Sequence, residues 1–237
     1  MNSRSQLIPL AALFAQLKLS GKDNAQSRDK IRRWYWCGVF GEAYRDGHLS
    51  RFAKDIVQVM SWIDDDEIPE IIQNTQISAP KLLKYKDVKS AAYKGMISII
   101  FRNGATDFLS GKNMGSSANF DESIDDHHIF PKKYCADKNI PKDRCDSIAN
   151  KTPILSETNK IIGNKAPSVY IRDFEKRGIK SQLINTSLKS HFAEPALCRA
   201  NDFDAFIVDR ANKIFDVIEK LTGREISDRD KIFVEIA

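Results

Sequence analysis

Apolar positions recur at helical spacing through much of the chain. An apolar run from Leu7 to Leu19, broken by Gln16 and Lys18, predicts a helix over residues 6–19. The polar stretch 20–27 reads as a connection. Ser27 stands where it would cap a second helix over 28–44. In that helix Ile31, Trp34, Tyr35, Gly38, Val39 and Phe40 form an apolar face, and Arg28, Lys30, Arg32 and Arg33 crowd the first half. Asp46-Gly47 is the expected stop. Phe52, Ile56, Val59 and Ile63 mark a third helix over 50–63, followed by Asp64-Asp65-Asp66 and a short acidic piece around Pro69. Ala79-Pro80 opens another helical region. The stripe Val88, Ala91, Ala92, Met96, Ile99, Ile100 predicts a helix over 87–101, which Asn103-Gly104 ends.

The pattern then changes. Residues 105–123 hold Gly111, Asn113, Gly115 and several serines, and read as turns and short strands. An acidic, β-rich segment closes on Asp125-Asp126-His127-His128-Ile129-Phe130-Pro131. A basic, irregular loop with Lys132, Lys133, Lys138, Lys142 and Arg144 comes next. The β-branched, apolar run Thr152–Leu155 predicts a strand returning beside the first. Ser156 is placed to cap a short helix with Glu157 near its positive end. Pro167 can start a helix over 168–177 with Tyr170, Ile171 and Phe174 inward and Gly178 as its stop. A last helix over 202–221 carries Phe203, Phe206, Ile207, Ile214, Val217, Ile218 and Leu221 on one face; residues 231–236 can add a strand. The expected architecture is α+β and mainly helical. It has a helical N-terminal region (1–104), then a mixed core with C-terminal helices (105–237), and the helices over 28–44 and 202–221 pack together around the core.

Composition narrows the class only a little. At 237 residues with 42% hydrophobic and 29% charged positions, the chain can bury a real core as one large domain or two small ones. A net charge of +5 permits a polyanionic partner without requiring one. Cys37, Cys135, Cys145 and Cys198 form no C-x-x-C pair, so reduced thiols are expected rather than a zinc site or a disulfide scaffold. Cys135 and Cys145 flank one loop and can approach each other. No signal peptide and no span of 18 uninterrupted apolar residues is present, so no membrane contact and a cytoplasmic location are expected.

The chemistry concentrates between residues 125 and 165. Neighbours on a strand point to opposite faces, so one histidine of His127-His128 can hold a metal while the other faces water. Asn150 and Asn159 follow at spacings that let a hairpin and a helix gather them. Trp34 and Trp36 read as packing residues, and His48 and His191 have no constellation around them.

These residues resemble the HNH, or His-Me finger, nucleases. Asp126-His127-His128-Ile129-Phe130-Pro131 is similar to that family's first motif, and Ile148-Ala-Asn150-Lys-Thr-Pro-Ile-Leu-Ser-Glu-Thr-Asn159-Lys160 to its second and third. Three further stretches are Arg32-Arg33-Trp34-Tyr35-Trp36, Asn103-Gly104-Ala105-Thr106-Asp107-Phe108 and Ile162-Gly163-Asn164-Lys165-Ala166-Pro167-Ser168-Val169-Tyr170. With them, the chain resembles the C-terminal half of GmrSD-type, modification-dependent restriction proteins over roughly 28–222.

The resemblance implies a ββα-metal core set between N- and C-terminal helices. It implies His128 as the general base, Asn150 as the residue orienting it, and His127 and Asn159 as metal ligands. Lys151, Lys160 and Lys165 are near enough in sequence to contact phosphates, and Asn164 joins the site by resemblance. Asp125 or Asp126 can hold a ligating imidazole. An amide ligand favours one Mg²⁺ or Mn²⁺ over tightly held Zn²⁺. The implied function is a DNA endonuclease, nicking because one site cuts one strand, that restricts foreign, modified DNA. Its implied partners are DNA and an N-terminal nucleotide-dependent sensor domain or subunit. The alternatives are a non-catalytic DNA-binding or assembly module with this fold, and a ribonuclease.

Overall fold

The structure, a computed structural model, describes residues 5–44, 48–65, 67–115 and 123–232. The chain is mainly helical, with two small sheets. Its elements run α1 Leu7–Leu19, α2 Ala25–Phe40, α3 His48–Asp65, α4 Glu70–Gln73, β1 Ile77–Ser78, α5 Ala79–Leu83 and α6 Ala91–Arg102. They continue with β2 Ile124–His128, α7 Lys132–Asp137, α8 Lys142–Cys145, β3 Lys151–Leu155, α9 Ser156–Ile162 and α10 Pro167–Lys176. The last are α11 Ser181–Ser190, α12 Pro195–Ala200, α13 Phe203–Thr222 and β4 Ile226–Ser227. A single boundary near 105 was the sequence expectation. The chain instead forms two compact units from interleaved segments: 1–82, 87–95 and 215–229 in the first, and 83–86, 96–214 and 230–237 in the second.

In the first unit α1, α2, α3 and α4 enclose Leu13, Leu17, Ile31, Trp34, Cys37, Val59, Trp62, Ile71 and Ile72. Trp34 and Trp36 are buried, as packing residues should be. The buried Asp55 carboxylate takes hydrogen bonds from Trp34 Nε1 (3.3 Å) and the Tyr44 hydroxyl. Helix α2 starts three residues before the expected position. Asn24, not Ser27, is its cap, with the Asn24 side chain accepting from the Ser27 backbone N–H at 3.0 Å. Its last helical residue is Phe40; Asp46-Gly47 lies outside the described residues. The α2 side chains meet the last turn of α13, where Arg33 Nε donates to Thr222 O at 2.9 Å. Strand β1 pairs in parallel with β4.

The second unit holds the motif region. Strands β2 and β3 are antiparallel, with His127 opposite Thr152 and His128 opposite Lys151. Helix α9 follows β3 without a break and lies against both strands. Phe130, just past the histidines, is fully buried with Phe206 (ring centroids 4.8 Å apart) and Phe203 (5.4 Å), which anchors the end of β2 to α13.

Several expectations change here. The loop after Pro131 is not irregular: Pro131 and Pro141 each precede a short helix, α7 and α8. Val88 is half exposed and stands before α6, outside its buried stripe. Of the strands expected in 105–123, the described part shows an isolated bridge between Thr106 and Asn113; residues 116–122, and 233–236 of the expected C-terminal strand, lie outside the described residues. All four cysteines are free and buried, and the thiols of Cys135 and Cys145 face each other.

Candidate functional site

The strand register separates the two histidines as the alternation rule requires. His127 faces inward and is 3% exposed, between the rings of Phe108 and Tyr170. His128 faces the other side and is half buried. Burial pushes the His127 ring down to about 4, so it is neutral at physiological pH. Its Nδ1 lies 2.7 Å from Asn159 Oδ1 on the first turns of α9. An amide oxygen only accepts, so Nδ1 carries the proton and donates. The other ring nitrogen, Nε2, is buried and has no hydrogen-bond partner among the described residues.

His128 Nε2 is 3.1 Å from Asp146 Oδ1. Burial would raise the Asp146 carboxyl, but the His128 bond and the Lys132 ammonium (3.6 Å) outweigh it and hold it below the usual carboxylate range. The ionised carboxylate accepts, so Nε2–H donates and Nδ1 keeps the lone pair of the neutral ring. Burial also lowers the His128 pKa, with the Asp146 bond opposing it.

Asn150 is fully buried in the 3₁₀ turn Ile148–Asn150. Its Oδ1 accepts from Phe130 N–H (2.9 Å), and its Nδ2 donates to Phe130 O and Cys145 O (2.9 Å each). All three bonds go to backbone. Asn150 therefore locks the residues that follow His128 and precede Asp146, and bears on the His128 ring through their position rather than by touching it.

The two acidic residues before the histidines, for which solvation was the first expectation and an imidazole bond the alternative, have side-chain partners of their own. Asp125 accepts from Asn159 Nδ2 (2.8 Å) and Ser156 Oγ–H (2.7 Å), and Asp126 pairs with Lys151 at 3.5 Å. Ser156 is thereby drawn away from the capping role expected for it; Leu155 is the cap residue of α9. Of the proposed phosphate contacts, Lys151 is largely buried in its ion pair with Asp126, and Lys160 is exposed. Lys165 is exposed but bonds Asp173 (2.8 Å), and Asn164 is exposed beside Gly163, the positive-φ residue that ends α9.

Three further residues frame the site. Asp107 is fully buried; its carboxylate accepts from Leu155 N–H (3.1 Å), Thr158 Oγ–H (2.7 Å) and Ser110 N–H (2.9 Å), tying the β3–α9 junction to the 107–110 turn. His191, expected to be structural or exposed, is fully buried: Thr152 Oγ–H donates to Nδ1 (2.6 Å), and Nε2–H donates to Thr106 O (2.9 Å). Arg210 is fully buried and donates to His191 O (2.9 Å) and Ala149 O (2.7 Å). Replacing Arg210 with Met is expected to lower the unfolding free energy by about 2–4 kcal/mol, because buried carbonyls lose their donors. Urea denaturation checks this, and an unchanged midpoint would mean that those carbonyls find other partners.

Among the described residues, no three His, Cys, Asp or Glu side chains gather in a way that could hold a metal by themselves. No described helix is long and apolar enough to cross a membrane. No protein-family model and no solved structure matches the chain. An uncharacterized protein of Methanocaldococcus jannaschii is 34% identical over 230 residues, covering 90% of this chain and 37% of the relative. The chain thus spans well under half the length of that relative.

Proposed function

We propose that the chain is a metal-dependent endonuclease of the ββα-metal type that hydrolyses DNA phosphodiesters. The observation that carries this reading is the convergence of His127 on β2 and Asn159 on α9, the helix that follows the partner strand β3, beside a second histidine on the opposite face of β2. Their donor chemistry fits a divalent cation once the neutral His127 ring carries its N–H on Nε2: Nδ1 and Asn159 Oδ1, 2.7 Å apart, then present lone pairs to one ion in place of the proton they share without it. One imidazole and one amide oxygen make a sparse, oxygen-tolerant set, which suits Mg²⁺ or Mn²⁺ with water completing the shell. Such a cation, when bound, supplies Lewis-acid stabilisation of a phosphate and its leaving oxygen.

The chain's own residues supply the rest. Neutral His128, polarised through Nε2 by Asp146, takes a proton from water at Nδ1. Asn150 fixes the backbone that carries His128, and exposed Lys160 is available for a phosphate oxygen. A single site of this kind cuts one strand, so the product is a nick. We assign the protein to cytoplasmic restriction of foreign DNA. The long part of the archaeal relative outside the match supports a further domain or subunit acting with this chain, for which nucleotide-dependent sensing is the implied role.

Supercoiled plasmid tests the reading. Open circles are expected with Mg²⁺ or Mn²⁺ and none with EDTA. Intact plasmid under every metal would favour a non-catalytic DNA-binding module, and cleavage of RNA with plasmid spared would move the substrate class.

A further inference from the structure

The orientation of the Asn159 amide has an identifiable cause. Asp125 stands two residues before His127 on β2, so both side chains leave the same strand face. Ser156 and Asn159 stand three apart on α9 and share one helix face. Both hydrogen bonds from that face end on one carboxylate: Ser156 Oγ–H on Asp125 Oδ1 at 2.7 Å, and Asn159 Nδ2 on Asp125 Oδ2 at 2.8 Å. An ionised carboxylate can only accept, so the amide atom beside Asp125 must be the nitrogen. The carbonyl oxygen is then turned to the other side, 2.7 Å from His127 Nδ1. The two ends of an amide have nearly the same shape. Without Asp125 nothing in this bonding pattern distinguishes them, and a flipped amide would offer N–H donors where a cation needs an oxygen.

We infer that Asp125 is a positioning residue that sets the polarity of the Asn159 amide, so that its carbonyl oxygen is the atom offered to a divalent cation. Ser156 steadies the carboxylate that does this. The inference rests on the reading of His127 and Asn159 as cation ligands. It predicts a particular ranking of variants, because exchanging the two groups preserves the donor–acceptor pair while removing either acid or amide does not.

The test titrates the full chain with Mn²⁺ and follows free Mn²⁺ by electron paramagnetic resonance, with side-chain amide NMR of Asn159 recorded without metal. Asp125→Asn is expected to weaken Mn²⁺ binding about 10–100-fold, in the range for loss of a group that orients a metal ligand. Ser156→Ala should weaken it less. The exchange Asp125→Asn with Asn159→Asp should return affinity to within a few-fold of wild type. In the metal-free protein, the Asn159 NH₂ resonances should shift in Asp125→Asn. Wild-type affinity in Asp125→Asn, or unshifted Asn159 resonances, overturns the inference while leaving the ligand reading in place. No Mn²⁺ binding by the wild type overturns the ligand reading and the inference with it. Should Asp125→Asn not fold, the exchange variant decides: failure to bind Mn²⁺ when folded overturns the inference.

Discussion

A His128→Ala protein is expected to keep its fold and to nick supercoiled plasmid about 10²–10⁴-fold more slowly, the usual contribution of a positioned general base. The fold should survive because the ring is only partly buried and its part-buried hydrogen bond, to Asp146, lies outside the aromatic cluster around Phe130. The rate should collapse because Nδ1 of this ring is the basic nitrogen left once Nε2–H is committed to the Asp146 carboxylate. The pH profile adds an independent check. Burial lowers the pKa of His128 from 6.5, so the base is neutral through pH 7 and the rate should decline only on the acid side of that value. Asp146→Asn should slow nicking less than His128→Ala, since it removes the polarising charge and keeps the ring. Initial rates in saturating Mn²⁺ from pH 5 to 8.5 measure all of this. Equal rates for wild type and His128→Ala, or a rate flat from pH 5 to 8, would remove His128 from the role.

The strand–loop–strand–helix around the site was legible in the sequence because its signals are local. Alternation separated His127 from His128, the β-branched run marked β3, and Asn159 fell on the helix that directly follows it. The Asn24 cap and the short helices α7 and α8 were harder to read: lysine-rich turns of four to six residues give too few positions for a period to emerge. Helix α11, Ser181–Ser190, is rich in Ser, Thr and Asn, whose weak helix propensity hides an element held by tertiary packing of Ile184 and Leu188. The residues that frame the site were not legible for a different reason. Asp107 reaches Thr158 across 51 positions, Arg210 reaches Ala149 across 61, and Asp146 reaches His128 across 18. Nothing in an isolated Asp or Arg says that it will be buried, since these types are mostly exposed. Asp125 shows the limit most clearly: its sequence position suggested a solvated carboxylate or, failing that, an imidazole partner, but the helix packed on its strand offers it two donors.

Stability in EDTA is expected to fall by on the order of 5 kcal/mol between pH 7 and pH 4, through two histidines buried neutral. The ring of His191 is pushed by burial from 6.5 to about 3, and that of His127 to about 4. In the unfolded chain both titrate near their ordinary value. A group whose folded pKa lies below its unfolded pKa contributes stability that is complete above the unfolded value and is lost as pH falls towards the folded one. The window is therefore pH 6.5 down to about 3–4, and its upper part lies above the range in which carboxylates titrate. Between pH 6 and 5 unfolding should take up nearly one proton for each of these two rings, with His128 adding a smaller share in the same direction. His191 cannot escape the cost by rotating out. Its two nitrogens are fixed between the Thr152 hydroxyl and the Thr106 carbonyl, and protonation would turn Nδ1 into a second donor facing a hydroxyl that now donates to it. Urea denaturation at half-unit steps measures the slope of unfolding free energy against pH. His191→Gln should lower stability at pH 7 and remove about one proton from that slope. A variant with the wild-type slope would show that His191 is not held neutral in the folded protein, and that the acid limit of this fold is set elsewhere.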